Sequence, residues 1–162
     1  MKLRGEWLVL AERVINDSMT QNLTLVSCLE QVAALTFPAQ HAGFGVAARY
    51  RCEGPPPEKA QKVRYRLLRL SEAEPPETIC EFNGVWEAGT RRGRIGTNFQ
   101  LLRLKRAETL TFRMDHRVGN GPWVEGPSCA IDVVKLELTD EQRAQLQRDA
   151  ARLGLGVPST DR

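Results

Sequence analysis

The stretch from Phe44 to Cys52, Phe-Gly-Val-Ala-Ala-Arg-Tyr-Arg-Cys, decides the fold class. Its residues alternate between two faces, as successive side chains of a β-strand do. One face holds Phe44, Val46, Ala48, Tyr50 and Cys52, and the other holds Gly45, Ala47, Arg49 and Arg51. This alternation predicts a strand with one face on a hydrophobic core and an arginine-bearing face towards solvent.

Other apolar or alternating segments lie on both sides of this strand, separated by turn residues. The predicted strands are residues 6–15, 23–35, 44–52, 62–70, 78–88, 99–105, 109–118, 123–124 and 129–138. Gly54–Glu58, Ser71–Glu77 and Gly89–Gly96 are predicted loops, and Asn83-Gly84 is a predicted hairpin turn. Because no helix separates these strands, we predict an all-β fold, an antiparallel β-sandwich of about eight strands.

The end of the chain changes period. Thr139 and Gln142 are spaced as a capping box, and Leu146, Ala150 and Leu153 then lie on one helical stripe. The chain of 162 residues is therefore predicted to form one β-sandwich domain over residues 1–138 and a helix within residues 139–156. We expect this helix to pack on the domain or on a second protomer, and residues 157–162 to fray.

Three segments resemble those of a family of short bacterial proteins of unknown function that are predicted to be β-sandwiches. They are Glu6–Glu12, Leu23–Ser27 leading to Phe37-Pro38-Ala39, and Leu110–Asp115. The resemblance implies a sandwich over most of residues 6–137. It implies no catalytic residues.

Composition and charge limit the classes of partner and the cellular compartment that we expect for this protein. The formal net charge is +3, which is a small excess for a dedicated nucleic-acid binder. The longest apolar runs fall far short of the roughly 20 residues that a bilayer-spanning helix needs. Cys28, Cys52, Cys80 and Cys129 are widely spaced, so we expect reduced and mostly buried thiols in a cytoplasmic protein.

The sequence predicts neither a cofactor nor a metal site. Only two histidines, His41 and His116, are available as nitrogen ligands, and no cysteines form a close pair. Residues 43–48 match G-x-G-x-x-A, but they alternate as a strand, whereas the dinucleotide motif needs a strand followed by a helix. Asp115 and His116 are neighbours on a strand and are therefore expected to point to opposite faces.

Arginine is the one strongly biased residue type, with 18 arginines among 23 basic residues. If residues 44–52 and 62–70 pair as a hairpin, Arg49, Arg51, Arg64 and Arg66 share one exposed face. Arg91, Arg92 and Arg94 would add a basic, glycine-rich loop. Arginine forms planar, bidentate contacts with carboxylate and phosphate, so these seven residues are the candidate anion-binding or nucleic-acid-binding set.

Three functions remain open at this stage. We predict a non-enzymatic binding or accessory module that acts through protein–protein contacts, including self-association, with no catalytic residues assigned. The alternative is an anion or nucleic-acid binder that uses the seven arginines. The second alternative is an enzyme with a distributed site near His116.

Overall fold

The computed structural model describes residues 1–17 and 22–152, without the side chains of residues 146, 150 and 151. The described chain contains nine strands and a terminal helix. They are β1 (Lys2–Asn16), β2 (Leu23–Cys28), β3 (Gln31–Ala34), β4 (Ala39–Glu53), β5 (Gln61–Ser71), β6 (Glu74–Trp86), β7 (Arg92–Leu104), β8 (Glu108–Val118), β9 (Ser128–Lys135) and α1 (Asp140–Arg152).

The strands form two sheets that face each other. The front sheet has the order β2-β1-β4-β7, and the back sheet has the order β3-β9-β8-β5-β6. All neighbouring strands are antiparallel except β3 and β9, which are parallel. The prediction of an antiparallel β-sandwich with a C-terminal helix is therefore confirmed.

The core lies between the sheets and is built from the alternation that the sequence predicts. The inward face of β4 is buried at all five predicted positions, from Phe44 to Cys52. From the back sheet, β5 and β8 contribute the largest inward side chains, among them Tyr65, Leu67, Phe112 and Met114. Burial of this apolar surface is the main force that holds the two sheets together.

Several local predictions are wrong. Residues 23–35 are not one strand, because the chain leaves the front sheet after Cys28 and enters the back sheet at Gln31. Asn83-Gly84 is no turn, because β6 runs unbroken through it. The predicted loops at 71–77 and 89–96 are mostly strand, since β6 begins at Glu74 and β7 at Arg92. His41 lies in β4, upstream of the strand predicted over residues 44–52.

The C-terminal helix starts where the capping box predicts. The Thr139 backbone N–H donates to the Gln142 side chain over 3.0 Å, and the Gln142 N–H donates to the Thr139 hydroxyl over 3.3 Å. These two bonds satisfy donors that a helix start would otherwise leave open. The predicted apolar stripe of this helix and the tail at 157–162 lie outside the described residues, so helix docking stays a prediction.

The far end of β1 crosses the outer face of the front sheet. The Asn98 side chain, on β7, both accepts from the Val14 N–H and donates to the Val14 carbonyl, each over 2.8 Å. Gly45 and Gly96 lie beneath Val14, where a Cβ atom would come within 2.7 and 2.8 Å of its methyl groups. The end of β1 therefore covers this half of the face, whereas the half near Arg4 and Trp7 carries an open depression.

Candidate anion-binding groove

An open depression on the outer face of the front sheet gathers arginines from three neighbouring strands. We call it the arginine groove, and its lining residues are Arg4, Gly5, Glu6, Trp7, Arg49, Arg51 and Arg92. Arg4 lies directly opposite Arg51, and Arg51 lies directly opposite Arg92. Neighbouring strands are about 4.8 Å apart, so the three guanidinium groups form a short row across the sheet.

A β-bulge in β1 shapes this groove. Gly5 pairs with Tyr50 and Trp7 pairs with Arg49, so Glu6 is an extra residue that no partner on β4 opposes. A bulge places two residues of one strand against a single residue of the next and redirects their side chains. Here it brings both Glu6 and Trp7 to the lining of the groove beside Arg49.

Glu6 is the only carboxylate in the lining, and it faces three guanidinium groups. One carboxylate oxygen lies 2.9 Å from Nε of Arg49, and the other lies 3.7 Å from Nε of Arg51 and 3.9 Å from Nε of Arg92. The contact with Arg49 is an ion pair without hydrogen-bond alignment, because Arg49 Nε has no hydrogen-bond partner among the described residues. The longer two contacts exceed hydrogen-bonding distance.

The groove keeps positive charge available to a ligand. The side chains of Arg51 and Arg92 are 45% and 58% exposed. Like charges directly opposite each other on neighbouring strands destabilise a sheet. The row of Arg4, Arg51 and Arg92, in which Glu6 reaches only the last two, is therefore an arrangement that an anionic ligand would stabilise.

The structure divides the seven predicted arginines. β4 and β5 belong to different sheets, so the hairpin that would have grouped them does not exist. Arg49, Arg51, Arg92 and Arg94 lie on the outer face of the front sheet, where Arg94 is directly opposite Arg49 and bonds the Asn22 side chain. Arg91 precedes β7, and its carbonyl accepts from the Cys52 N–H.

Arg64 and Arg66 lie on the outer face of the back sheet, on the opposite side of the sandwich. Arg64 donates to the side chain of Asn83 over 3.1 Å. Arg66 donates through two nitrogens to the Asp115 carboxylate, over 2.9 and 3.1 Å. Neither can therefore contribute to the arginine groove.

Sequence reasoning missed Arg4, Glu6 and Trp7. The signal that could have found them is a change of phase in β1. The buried positions Leu3, Leu8 and Leu10 switch from odd to even numbers between Arg4 and Leu8. An extra residue must lie between them, and it brings Glu6 and Trp7 beside the arginines.

Comparisons with known proteins find similarity among solved structures alone. A scan against protein-family models finds no match, and a search of the curated proteins finds none either. The superoxide reductase (neelaredoxin) from Ignicoccus hospitalis is 16% identical, with a TM-score of 0.38 over 80% of this chain and 82% of that chain. The cupredoxin domain of amoB from Nitrosocaldus yellowstonii is 14% identical, with a TM-score of 0.34 over 61% of this chain and 60% of that chain.

The described residues contain no group of three or more histidine, cysteine, aspartate or glutamate side chains placed to hold a metal ion. Within the same residues, no helix has the length and apolar character needed to cross a membrane.

The alternation around His116 is as predicted, and it separates His116 from Asp115. His116 is 2% exposed, and its ring packs edge-on against Tyr50, with the ring centres 5.2 Å apart. Burial lowers the pKa of His116 below its usual value and outweighs the opposing effects of the Leu3 backbone and the Asp115 charge. The imidazole is therefore held neutral in the core, while Asp115 points to the outer face.

Asp115 is the centre of a buried cluster on the back sheet. Its carboxylate accepts from Arg66, from two nitrogens of Arg113 over 2.8 and 3.2 Å, and from the Gly126 N–H over 3.3 Å. The guanidinium groups of Arg66 and Arg117 both lie over the Trp123 ring, with their Cζ atoms 4.5 and 5.0 Å from its centre. These contacts fasten the segment before β9 onto β8.

The four cysteines are free, and they are expected to differ in reactivity. Cys28 is exposed, whereas burial raises the pKa of Cys80 and raises that of Cys129 to about 12. Because the thiolate is the reactive form, we expect one fast thiol at about pH 8 in the folded protein and four after unfolding. A chromogenic disulfide reagent measures this count, and Cys28→Ser should remove the fast phase. Two or more fast thiols would contradict the prediction.

Proposed function

We propose that this protein is a non-enzymatic binding module that recognises an acidic segment of a partner protein through the arginine groove. The observation that carries the proposal is the row of Arg4, Arg51 and Arg92 on three neighbouring strands, of which only Arg51 and Arg92 lie within 4 Å of the Glu6 carboxylate. Arginine matches the planar carboxylate group with two parallel hydrogen bonds. A rigid sheet keeps such a row in place before the ligand arrives, which lowers the entropic cost of binding.

Several features favour an acidic protein segment over a nucleic acid. Glu6 already occupies the groove, which supports the view that the groove accommodates a glutamate carboxylate. Tryptophan and arginine, the residue types of Trp7 and Arg49, are enriched among the few residues that carry most of the binding energy of protein interfaces. A platform for single-stranded nucleic acid stacks successive bases on several aromatic rings, and Trp7 is the single aromatic residue in the lining.

Fluorescence anisotropy with three labelled ligands tests this proposal. They are an oligoglutamate peptide, an oligoglutamine peptide of the same length, and a single-stranded oligonucleotide, each at low and near-physiological salt. We expect the oligoglutamate to bind in a salt-dependent way and the oligoglutamine not to bind, because only the first carries carboxylates. Absence of oligoglutamate binding at low salt would overturn the proposal. Tighter binding of the oligonucleotide at near-physiological salt would replace the acidic segment with a nucleic acid.

We also propose that the module acts in the cytoplasm. All four cysteines are free thiols, and two of them have pKa values raised by burial, which suits a reducing compartment.

A further inference from the structure

Glu6 has a position that an ordinary strand would not give it. It is the extra residue of the β1 bulge, and its carboxylate lies among guanidinium groups from both β4 and β7. Its side chain is 23% exposed, so it can leave this position without opening the core. The bulge therefore places a movable carboxylate inside the groove.

The contacts of Glu6 leave the arginines incompletely satisfied. Of its three ion pairs, only the one with Arg49 is shorter than 3.5 Å. A carboxylate that bonds a guanidinium in the bidentate way approaches to about 2.8 Å. A ligand carboxylate that approached Arg51 and Arg92 directly would therefore gain contacts that Glu6 does not make.

We infer that Glu6 is a built-in competitor for the arginine groove. Its carboxylate occupies the place that a carboxylate of the partner takes, and the partner displaces it on binding. This inference rests on the proposed function and adds to it a reason why the groove would select ligands with several carboxylates. A ligand with a single carboxylate only exchanges one anion for another, whereas a segment with several carboxylates displaces Glu6 and also engages Arg4 and Arg92.

The opposite role for Glu6 makes a different prediction. If Glu6 positioned the arginines for binding, its loss would let Arg49, Arg51 and Arg92 move apart and would lower the affinity for the ligand. If Glu6 competes with the ligand, its loss frees the guanidinium donors and raises the affinity for the ligand. The sign of the change in affinity therefore separates the two roles.

The experiment compares the wild-type protein with Glu6→Gln, in which the side chain keeps its size and loses its charge. We expect Glu6→Gln to bind oligoglutamate about tenfold more tightly, since a close charge competitor is removed. Glu74→Gln is the matched control, because Glu74 loses the same charge but pairs with Lys105 over 2.6 Å at the start of β6, in the back sheet. Its affinity should change by less than about threefold.

Each outcome decides a separate point. Equal gains in Glu6→Gln and Glu74→Gln would overturn the competitor role, because net charge alone would then explain the effect. Unchanged or weaker binding by Glu6→Gln, with a wild-type protein that binds, would also overturn it and leave the proposed function intact. If neither protein binds, the proposed function itself fails. If Glu6→Gln binds and the wild-type protein does not, the competitor role of Glu6 is supported, whereas the proposed function fails for the wild-type protein.

A second variant, combined with a measurement of unfolding, separates an effect on binding from an effect on folding. Glu6→Asp keeps the charge and withdraws the carboxylate from Arg92 by one methylene group. We expect a gain in oligoglutamate affinity that is smaller than that of Glu6→Gln. A loss of affinity in Glu6→Asp, with an unfolding midpoint equal to that of the wild type, would contradict the competitor role.

Discussion

Replacing Asp115 by alanine is expected to lower the free energy of unfolding by about 3 kcal/mol, at the lower end of what removing one partner of a buried ion pair costs. The Asp115 side chain is 1% exposed and accepts from Arg66, Arg113 and the Gly126 N–H. The substitution leaves two guanidinium groups, 27% and 22% exposed, without their shared anion. Their partial exposure to water sets the loss at the lower end of the range.

Urea unfolding followed by tryptophan fluorescence measures this change, with Asp132→Ala as the matched control. Asp132 is an exposed aspartate on the neighbouring strand β9, and its carboxylate accepts from the Thr109 hydroxyl over 2.8 Å. The control should lose no more than about 1 kcal/mol. Asp115→Asn keeps the shape and part of the acceptors, so it should fall between the two. A loss below about 1 kcal/mol in Asp115→Ala would show that the cluster does not stabilise the fold.

This cluster engages the Arg66 side chain within the fold. Its guanidinium is held by Asp115 on one side and lies 4.5 Å from the centre of the Trp123 ring on the other. Both interactions belong to the fold. An arginine whose N–H donors are already bonded within the protein has fewer donors left to bind an external anion. Arg66 differs from Arg51 in this respect, although both lie on the outward face of an alternating strand.

The sequence predicted the faces of the strands well, because facing depends on local alternation. The inward set of β4 follows directly from a period of two residues, and the same alternation correctly predicts opposite faces for Asp115 and His116 in β8. The partners of the strands were not predictable in the same way. Alternation in residues 44–52 and 62–70 is equally compatible with a hairpin and with membership of two sheets, since strand pairing depends on distant contacts.

The candidate site was found only in part, for the same reason. Arg49, Arg51 and Arg92 were among the predicted residues, but their true neighbours come from β1, about 45 residues earlier in the chain. Arg4 and Trp7 become relevant only when β1 pairs with β4. Glu6 enters the groove only through the bulge. A bulge breaks the regular period of its strand, so the bulged residue is not recognised when a period of two residues is assumed.

Removing two charges from the arginine groove is expected to abolish most of its binding. In the double variant Arg51→Gln with Arg92→Gln, the affinity for oligoglutamate should fall by about 100-fold or more. The physical reason is that each hydrogen bond to a charged group contributes roughly 1.5–3 kcal/mol, which is about tenfold or more per arginine. The folded state should keep or slightly gain stability, because the row of like charges opposite Arg4 is relieved. Anisotropy titration measures the first effect and urea unfolding the second.

The double variant Arg64→Gln with Arg103→Gln is the matched control, since it removes the same charge from exposed positions elsewhere. Arg64 lies on the back sheet and Arg103 near the far end of β7. If position matters, this control loses less than about threefold in affinity, which is the size expected from net charge alone. Equal losses in the two double variants would mean that the protein attracts acidic ligands through its overall charge. A groove variant that instead unfolds readily would mean that Arg51 and Arg92 stabilise the sheet through Glu6, and that their row is a structural feature.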